Sequence, residues 1–227
     1  VIPTELKIIE EPASRLLTTE TRVRGDLQIG DDVSEELLNR QIEVASDLIG
    51  EFICNADDDS GVATIAQADY EERFDLVAGG RDLVLTRLPV VELISVADGS
   101  LNFVEATVDD APNPAFGYMV KHGSGIVRKK NSADLHRFCG PYVVVRYRAG
   151  WTVGNDGNLP AHIEDACVLL IRRMIDRLQQ TNVGAIKSES ITGIGAWTYA
   201  VEAITWDEGL PSDVSSILKR YRRLRIG

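Results

Sequence analysis

The sequence predicts an α+β fold: a helical bundle built from the N- and C-terminal segments, with an inserted antiparallel β-module and a C-terminal helix. Three observations predict it. Apolar residues recur at helical spacing across residues 32–54 and again across 160–181, whereas the segment between them switches to two-residue alternation broken by turn residues. No segment repeats at the period of about 20–50 residues that marks a solenoid. The expected organisation is N-terminal helices over 1–55, an inserted β-module over 56–150, and C-terminal helices with an extended arm over 151–227, packing on 1–55.

Thr18 or Thr19 can accept hydrogen bonds from the orphan backbone N–H groups of a first, short helix that continues to about Leu27 and breaks at Gly30-Asp31-Asp32. Asp32 and Glu35 stand in capping-box spacing and open a second helix that runs to about Cys54. Its seam is Leu38, Ile42, Ala45, Ile49 and Phe52, and Leu37, Val44 and Leu48 form a second apolar strip beside it. Two strips allow two readings: both face one intramolecular core, or the second meets another subunit.

Candidate strands in the middle third are Val62–Gln67, Glu72–Val77, Asp82–Thr86, Val90–Val96, Leu101–Thr107, Tyr118–Lys121, Gly125–Lys129 and Tyr142–Tyr147. Ala78-Gly79-Gly80 is suited to a hairpin between the second and third of these, and Asp98-Gly99 to one between the fourth and fifth. Pro112-Asn113-Pro114 and Asn131–His136 read as loops. Leu159-Pro160 places a proline at the start of a third helix, where its missing N–H costs nothing. That helix extends to about Thr181 with Ile163, Cys167, Leu170, Ile171, Met174 and Leu178 as its apolar stripe. Residues 182–206 read as an extended arm or hairpin, and Pro211-Ser212 opens a fourth helix with Val214, Ile217, Leu218 and Tyr221 inward.

Composition excludes several classes. The 227 residues include 44% hydrophobic residues, as expected of a chain with a core, and carry a net charge of −11, which opposes broad contact with nucleic-acid phosphates. The longest apolar runs, such as Val168–Ile171, fall far short of the roughly 20 residues needed to cross a bilayer, and Val1–Glu11 is too charged for a secretory hydrophobic region. No membrane association is expected. Three cysteines without a CxxC spacing fit a reducing compartment better than a disulfide framework. Residues 1–55 hold 12 acids and 5 bases, whereas Lys219–Gly227 hold five bases and no acid.

The residues that could carry chemistry fall short of the motifs they approach. Counted from Asn55 as a calcium loop, the required glycine falls on Ser60 and the bidentate glutamate on Ala66. Gly123-Ser124-Gly125 lacks the intervening residues of a nucleophile elbow and reads as a tight hairpin. His122, His136 and His162 are the only histidines, and none has a metal-binding helical spacing; His136 and Cys139 are the nearest approach to a ligand pair. Gly193-Ile194-Gly195 lacks the third glycine and the βαβ context of a dinucleotide loop. A hydrolase centred on His122, His136 and Asp134 is a rival reading without a visible nucleophile–base pair. No catalytic residue, metal or cofactor is expected. Tyr221 and Leu224 interleave with the C-terminal bases at helical spacing, which suits either an amphipathic helix entering an acidic groove of a protein or a solvated terminus.

Taken in order, several stretches resemble the head-tail connector (adaptor, neck) proteins of tailed double-stranded DNA phages and gene transfer agents. These are Leu16-Leu17-Thr18-Thr19, Asp31-Asp32 with the helix of Leu37, Ala45 and Ile49, and Val143–Trp151 followed by Leu159-Pro160, Ile163 and Ala166. Lys187–Ile191, Gly193-Ile194-Gly195, Trp197, Tyr199 and then Ile217-Leu218 and Tyr221-Arg222-Arg223 complete the series. About two thirds of the chain is covered, and the β-rich middle departs from the mainly helical shorter members of that family.

The resemblance implies a homo-oligomeric ring of about twelve subunits below a portal protein, in the neck of a particle made in the host cytoplasm. DNA would pass through its central channel without specific binding, and a stopper or tail completion protein would receive its lower face. It implies portal binding by Lys219, Arg220, Tyr221, Arg222, Arg223 and Arg225, and a subunit interface that includes Leu37, Val44, Leu48, Trp197 and Tyr199. Another neck or baseplate structural protein, with the β-module as a binding device, is the nearest alternative.

Overall fold

The computed structural model describes residues 1–30, 33–54, 63–76, 81–98, 103–105, 117–131, 134–136, 138, 140–154, 157–183, 188–191, 195–198, 206–207 and 209–222. The chain opens with β1 (Glu5–Glu10), α1 (Glu20–Leu27) and α2 (Glu35–Cys54). There follow β2 (Ala68–Asp75), β3 (Asp82–Val84), β4 (Val90–Asp98), β5 (Phe103–Glu105), β6 (Gly117–Lys121), β7 (Ile126–Asn131), β8 (Asp134–His136) and β9 (Tyr142–Ala149). The last part holds α3 (Ala161–Val183), β10 (Ser188–Ile191), β11 (Gly195–Thr198), β12 (Trp206–Asp207), β13 (Leu210–Pro211), α4 (Ser212–Leu218) and a 3-10 turn over Lys219–Tyr221. The chain divides into two compact units, Val1–Arg15 with Cys54–Asn158, and Leu16–Ile53 with Leu159–Gly227.

The first unit is the β-module. A five-stranded antiparallel sheet has the order β1-β2-β9-β4-β5, and a second sheet has the order β3-β7-β6 with β8 also on β7. Alternation explains the core: on β9, Val143, Val145, Tyr147 and Ala149 are fully buried while the residues between them are not. They meet Tyr70 and Phe74 of β2, Leu93 and Val96 of β4, and Leu83 and Val127 from the second sheet in one apolar cluster. On the other face, register pairs acids with bases: Asp69 opposes Arg148 and Glu71 opposes Arg146, with N–O distances of 2.7 and 2.6 Å. Each such partly exposed pair contributes up to about 1 kcal/mol. At the end of β9, Gly150 has φ +106°, and a Cβ there would lie 2.6 Å from the Ala66 carbonyl oxygen. Only glycine allows that close approach, which lets Trp151 donate its N–H to Ile65.

Five expectations are corrected here. Residues 63–67 form no strand, only an isolated bridge between Ala66 and Trp151. The second and third candidate strands are not a hairpin: β2 is flanked by β1 and β9, and β3 pairs with β7, where Leu83 faces the shared core and Asp82 binds Arg128 at 2.7 Å. Alternation fixes which face of a strand is buried but not which strand lies beside it. Asn131–His136 is not wholly loop, because Asp134–His136 adds β8 to β7. The first residues supply β1, a strand no turn signal announced, pairing with β2. The cap of α2 is Ser34, whose Oγ accepts from the Leu37 N–H at 3.3 Å, two residues after the proposed Asp32, which lies outside the described residues.

Other readings hold. β4 and β5 pair as expected, although Gly99 of their turn lies outside the described residues, as do Asn55–Gly61, Ala78-Gly79-Gly80 and Pro112-Asn113-Pro114. Residues 122–125 form the tight turn between β6 and β7, with Gly125 at φ +62°.

The second unit is the helical bundle. Thr19 caps α1, and Gln28, in the left-handed conformation, ends it. Leu38, Ile42, Ala45 and Ile49 of α2 are buried with Ile163, Ala166, Cys167, Leu170 and Ile171 of α3 and Val214 and Leu218 of α4. Ser46 is one polar member of this core, with Thr18 and Ser215 also buried. Its Oγ–H donates to the Ile42 carbonyl at 2.7 Å and its oxygen accepts the Leu17 N–H at 3.0 Å, so neither group is left unsatisfied. Arg22 ties α1 to Glu164 and Asp165 of α3, and Arg173 of α3 binds Asp213 of α4 at 3.0 Å. Among the described residues no helix is long and apolar enough to cross a membrane.

Candidate assembly surfaces

The outer face of α2 follows from its length. Twenty residues give one side to the core, and Leu37, Val44 and Leu48, at spacings of seven and four, fall on a line beside that side. Leu37 and Val44 are 37% and 38% exposed, and Leu48 is half-buried. Along the far flank of this strip run exposed Glu43, Asp47 and Glu51. An apolar strip with an acidic margin suits a partner with apolar and basic groups, not a small polar substrate.

The second surface is the C-terminal turn. Lys219 and Arg220 are exposed, Tyr221 and Arg222 half-buried. The Arg220 guanidinium lies 4.9 Å from the Tyr221 ring centre, and that of Arg222 lies 5.2 Å from the Phe52 ring on α2, both within cation–π range. Arg223 and Arg225 lie outside the described residues, and so does Tyr199. Trp197 falls within β11, opposite Glu189 of β10, which makes the 182–206 arm a two-stranded pair at that point.

The two strand-region histidines of the hydrolase reading occupy separate backbone positions. His122 is in the turn that precedes Ile126, its Nδ1 2.8 Å from the Val90 carbonyl oxygen, whereas His136 pairs across from Lys129. Three residues of strand, about 10 Å, separate those two positions on β7. His162 is exposed in the first turn of α3. Among the described residues no group of three or more His, Cys, Asp or Glu side chains could hold a metal ion. Cys167 is a core residue whose thiol burial pushes up to about 12, out of the reactive range.

One polar cluster went unread in the sequence. Glu72 is fully buried, and its Oε1 accepts hydrogen bonds from the Thr86 N–H at 2.9 Å, the Thr86 hydroxyl and the Tyr147 hydroxyl at 2.5 Å, while Oε2 meets no partner among the described residues. Burial raises the carboxyl above its ordinary range, against the lowering effect of these donors and of Arg87. Tyr147, also buried, is held well above its ordinary value. The signal was present: Ala68, Tyr70 and Phe74 alternate on one face, and Glu72 has their parity. Two grooves among the described residues do not include this cluster. One is lined by residues such as Glu10, Gln67 and Trp151, the other by residues such as Gln28, Val33 and Arg172.

The class these features define is an α+β protein of two units with exposed apolar and basic surfaces and no converging chemical centre among the described residues. Its fold is that of a solved chain described as "Neck of empty GTA particle computed with C6 symmetry": TM-score 0.56, 13% identity, covering 99% of this chain and 98% of that one. A chain of "Virion of native gene transfer agent (GTA) particle" gives TM-score 0.54 and 14% identity over 98% and 97% of the two chains. At such identities the likeness is one of fold. No protein-family model and no curated protein matches the sequence.

Proposed function

We propose that the chain is a non-enzymatic structural subunit of the neck of a gene transfer agent or tailed-phage particle, a head-tail connector forming a ring below the portal around a DNA channel. The observation that carries this reading is the likeness to the neck chain, which covers 99% of one chain and 98% of the other. A match of that extent includes helical bundle, β-module and their order along the chain, so it is not the chance agreement of one common motif.

A ring closes through unlike faces on each subunit, and the Leu37–Val44–Leu48 strip of α2 is one such face, with Trp197 and Tyr199 of the arm contributing to the other. Lys219, Arg220, Tyr221, Arg222, Arg223 and Arg225 supply bases and apolar groups for an acidic groove of the portal. A stopper or tail completion protein then takes the lower face. The acidic excess of residues 1–55 repels phosphates and lets DNA slide through the ring without sticking.

Mixing the purified chain with portal rings tests this reading: the chain is expected to co-sediment with the rings. A portal fraction free of the chain at micromolar concentrations of both would overturn it.

A further inference from the structure

Glu72 is enclosed on three sides that differ in strength. Toward β9 it meets the Tyr147 hydroxyl, with Val145 directly opposite in register. Beyond β3 it meets Thr86, which donates twice to Oε1, and Arg87, whose positive charge acts on the carboxyl. Both sides belong to the packed interior: Val145 and Tyr147 are fully buried, and Arg87 is 4% exposed. On the third side stands β1, where Leu6 lies opposite Glu72 and Ile8 opposite Tyr70. β1 is the edge of its sheet and pairs with β2 alone among the described strands; its register slips between Ile8 and Glu10, and its two inward side chains, Leu6 and Ile8, are only half-buried. Ahead of it the Thr4 N–H donates to the Arg73 carbonyl at 2.7 Å and the Val84 N–H to the Val1 carbonyl at 3.1 Å, so the strand is seated. A strand held on one side with little buried apolar area nevertheless opens at a lower free energy than a central strand such as β9.

We propose that β1 is a strap worked by the Glu72 proton: it closes over the neutral carboxyl and lifts when that proton is lost. Oε2 meets no donor among the described residues, so ionisation beneath the closed strap leaves a buried negative charge half-satisfied. Lifting β1 hydrates the carboxylate and leaves the centre of the sheet paired. Burial raises the Glu72 carboxyl in the closed state, and the neighbouring Tyr147 phenol is held well above its ordinary value and stays neutral. No histidine stands on β1, β2 or β9. Opening therefore becomes more frequent as pH rises, by up to about tenfold per pH unit while the lifted state is ionised and the closed one is not. The device goes beyond the connector reading and does not rest on it.

Native-state hydrogen exchange of the full chain at pH 5 and pH 8, corrected for intrinsic exchange, measures how often each strand opens. The β1 amides are expected to open about tenfold more often at pH 8, and the amides of Val143–Tyr147 on β9 to change much less. A pH dependence of β1 no larger than that of β9 would overturn the inference, and this comparison needs no variant. E72Q removes the titrating proton at nearly constant volume and is expected to bring β1 to the same opening frequency at both pH values; E72M serves the same purpose where E72Q does not fold. A tenfold difference that survives the substitution would sink the proposal as well, since another group would then work the strap.

Discussion

At the scale of single residues, the buried Glu72 is the chain's most demanding group. Its pKa is raised chiefly by burial, so the folded state favours the protonated form more than the unfolded chain does. The sign follows: the contribution to stability is whole below the unfolded carboxyl range and is lost as pH rises through the raised folded value. Asp82 acts in the opposite sense, since Arg128 holds its carboxyl low and its contribution is lost as pH falls. Comparing wild type with E72Q cancels Asp82. Denaturant midpoints at pH 5 and pH 8 are expected to fall further in wild type than in E72Q, and parallel pH profiles would show that Arg87 and the hydroxyl donors hold Glu72 as a carboxylate. Cys167 gives a second test at this scale. Burial and its raised pKa make it inert to thiol reagents in the native state, so mass spectrometry is expected to find it unmodified until denaturant is added.

At the scale of elements, α2 separates packing from assembly. Ile42 is 1% exposed, and I42A is expected to cost about 2–5 kcal/mol in chemical denaturation. Val44, two residues away and 38% exposed, lies outside that packing, so V44D is expected to change stability by less than about 0.5 kcal/mol. If the strip is a ring contact, V44D nevertheless abolishes incorporation into particles. A fully incorporated V44D chain would remove the strip from the interface. The helices were legible because their signals are local. The Leu38–Phe52 seam fixes the buried face of α2 wherever its first turn begins, so a cap displaced from Asp32 to Ser34 changed nothing downstream. Strand faces were legible for the same reason, as on β9, but strand partners were not. The stretch Ala78-Gly79-Gly80 suggested a hairpin between β2 and β3, and the long-range pairing of β2 with β1 and β9 prevailed.

At the scale of the whole molecule, the C-terminal turn is where the proposed attachment can be separated from the fold. Cutting the chain after Leu218 removes a turn that contributes no fully buried side chain, so the bundle is expected to retain its unfolding midpoint while attachment to portal rings is lost. Undiminished co-sedimentation of the shortened chain would clear the tail of that role.

By itself the sequence determined where the long helices lie, which face of α2 and of β9 is buried, where charge accumulates, and that no motif for chemistry is complete, because each of these is set by neighbours within a few positions. Only the tertiary structure decided that Glu5–Glu10 joins the sheet, that β3 leaves β2 for β7, that Glu72 lies buried beneath Tyr147, and that Arg222 rests on Phe52. Those contacts join residues from 42 to 170 positions apart in the chain, and a periodic pattern carries no information on which distant surface will be nearest when both are buried.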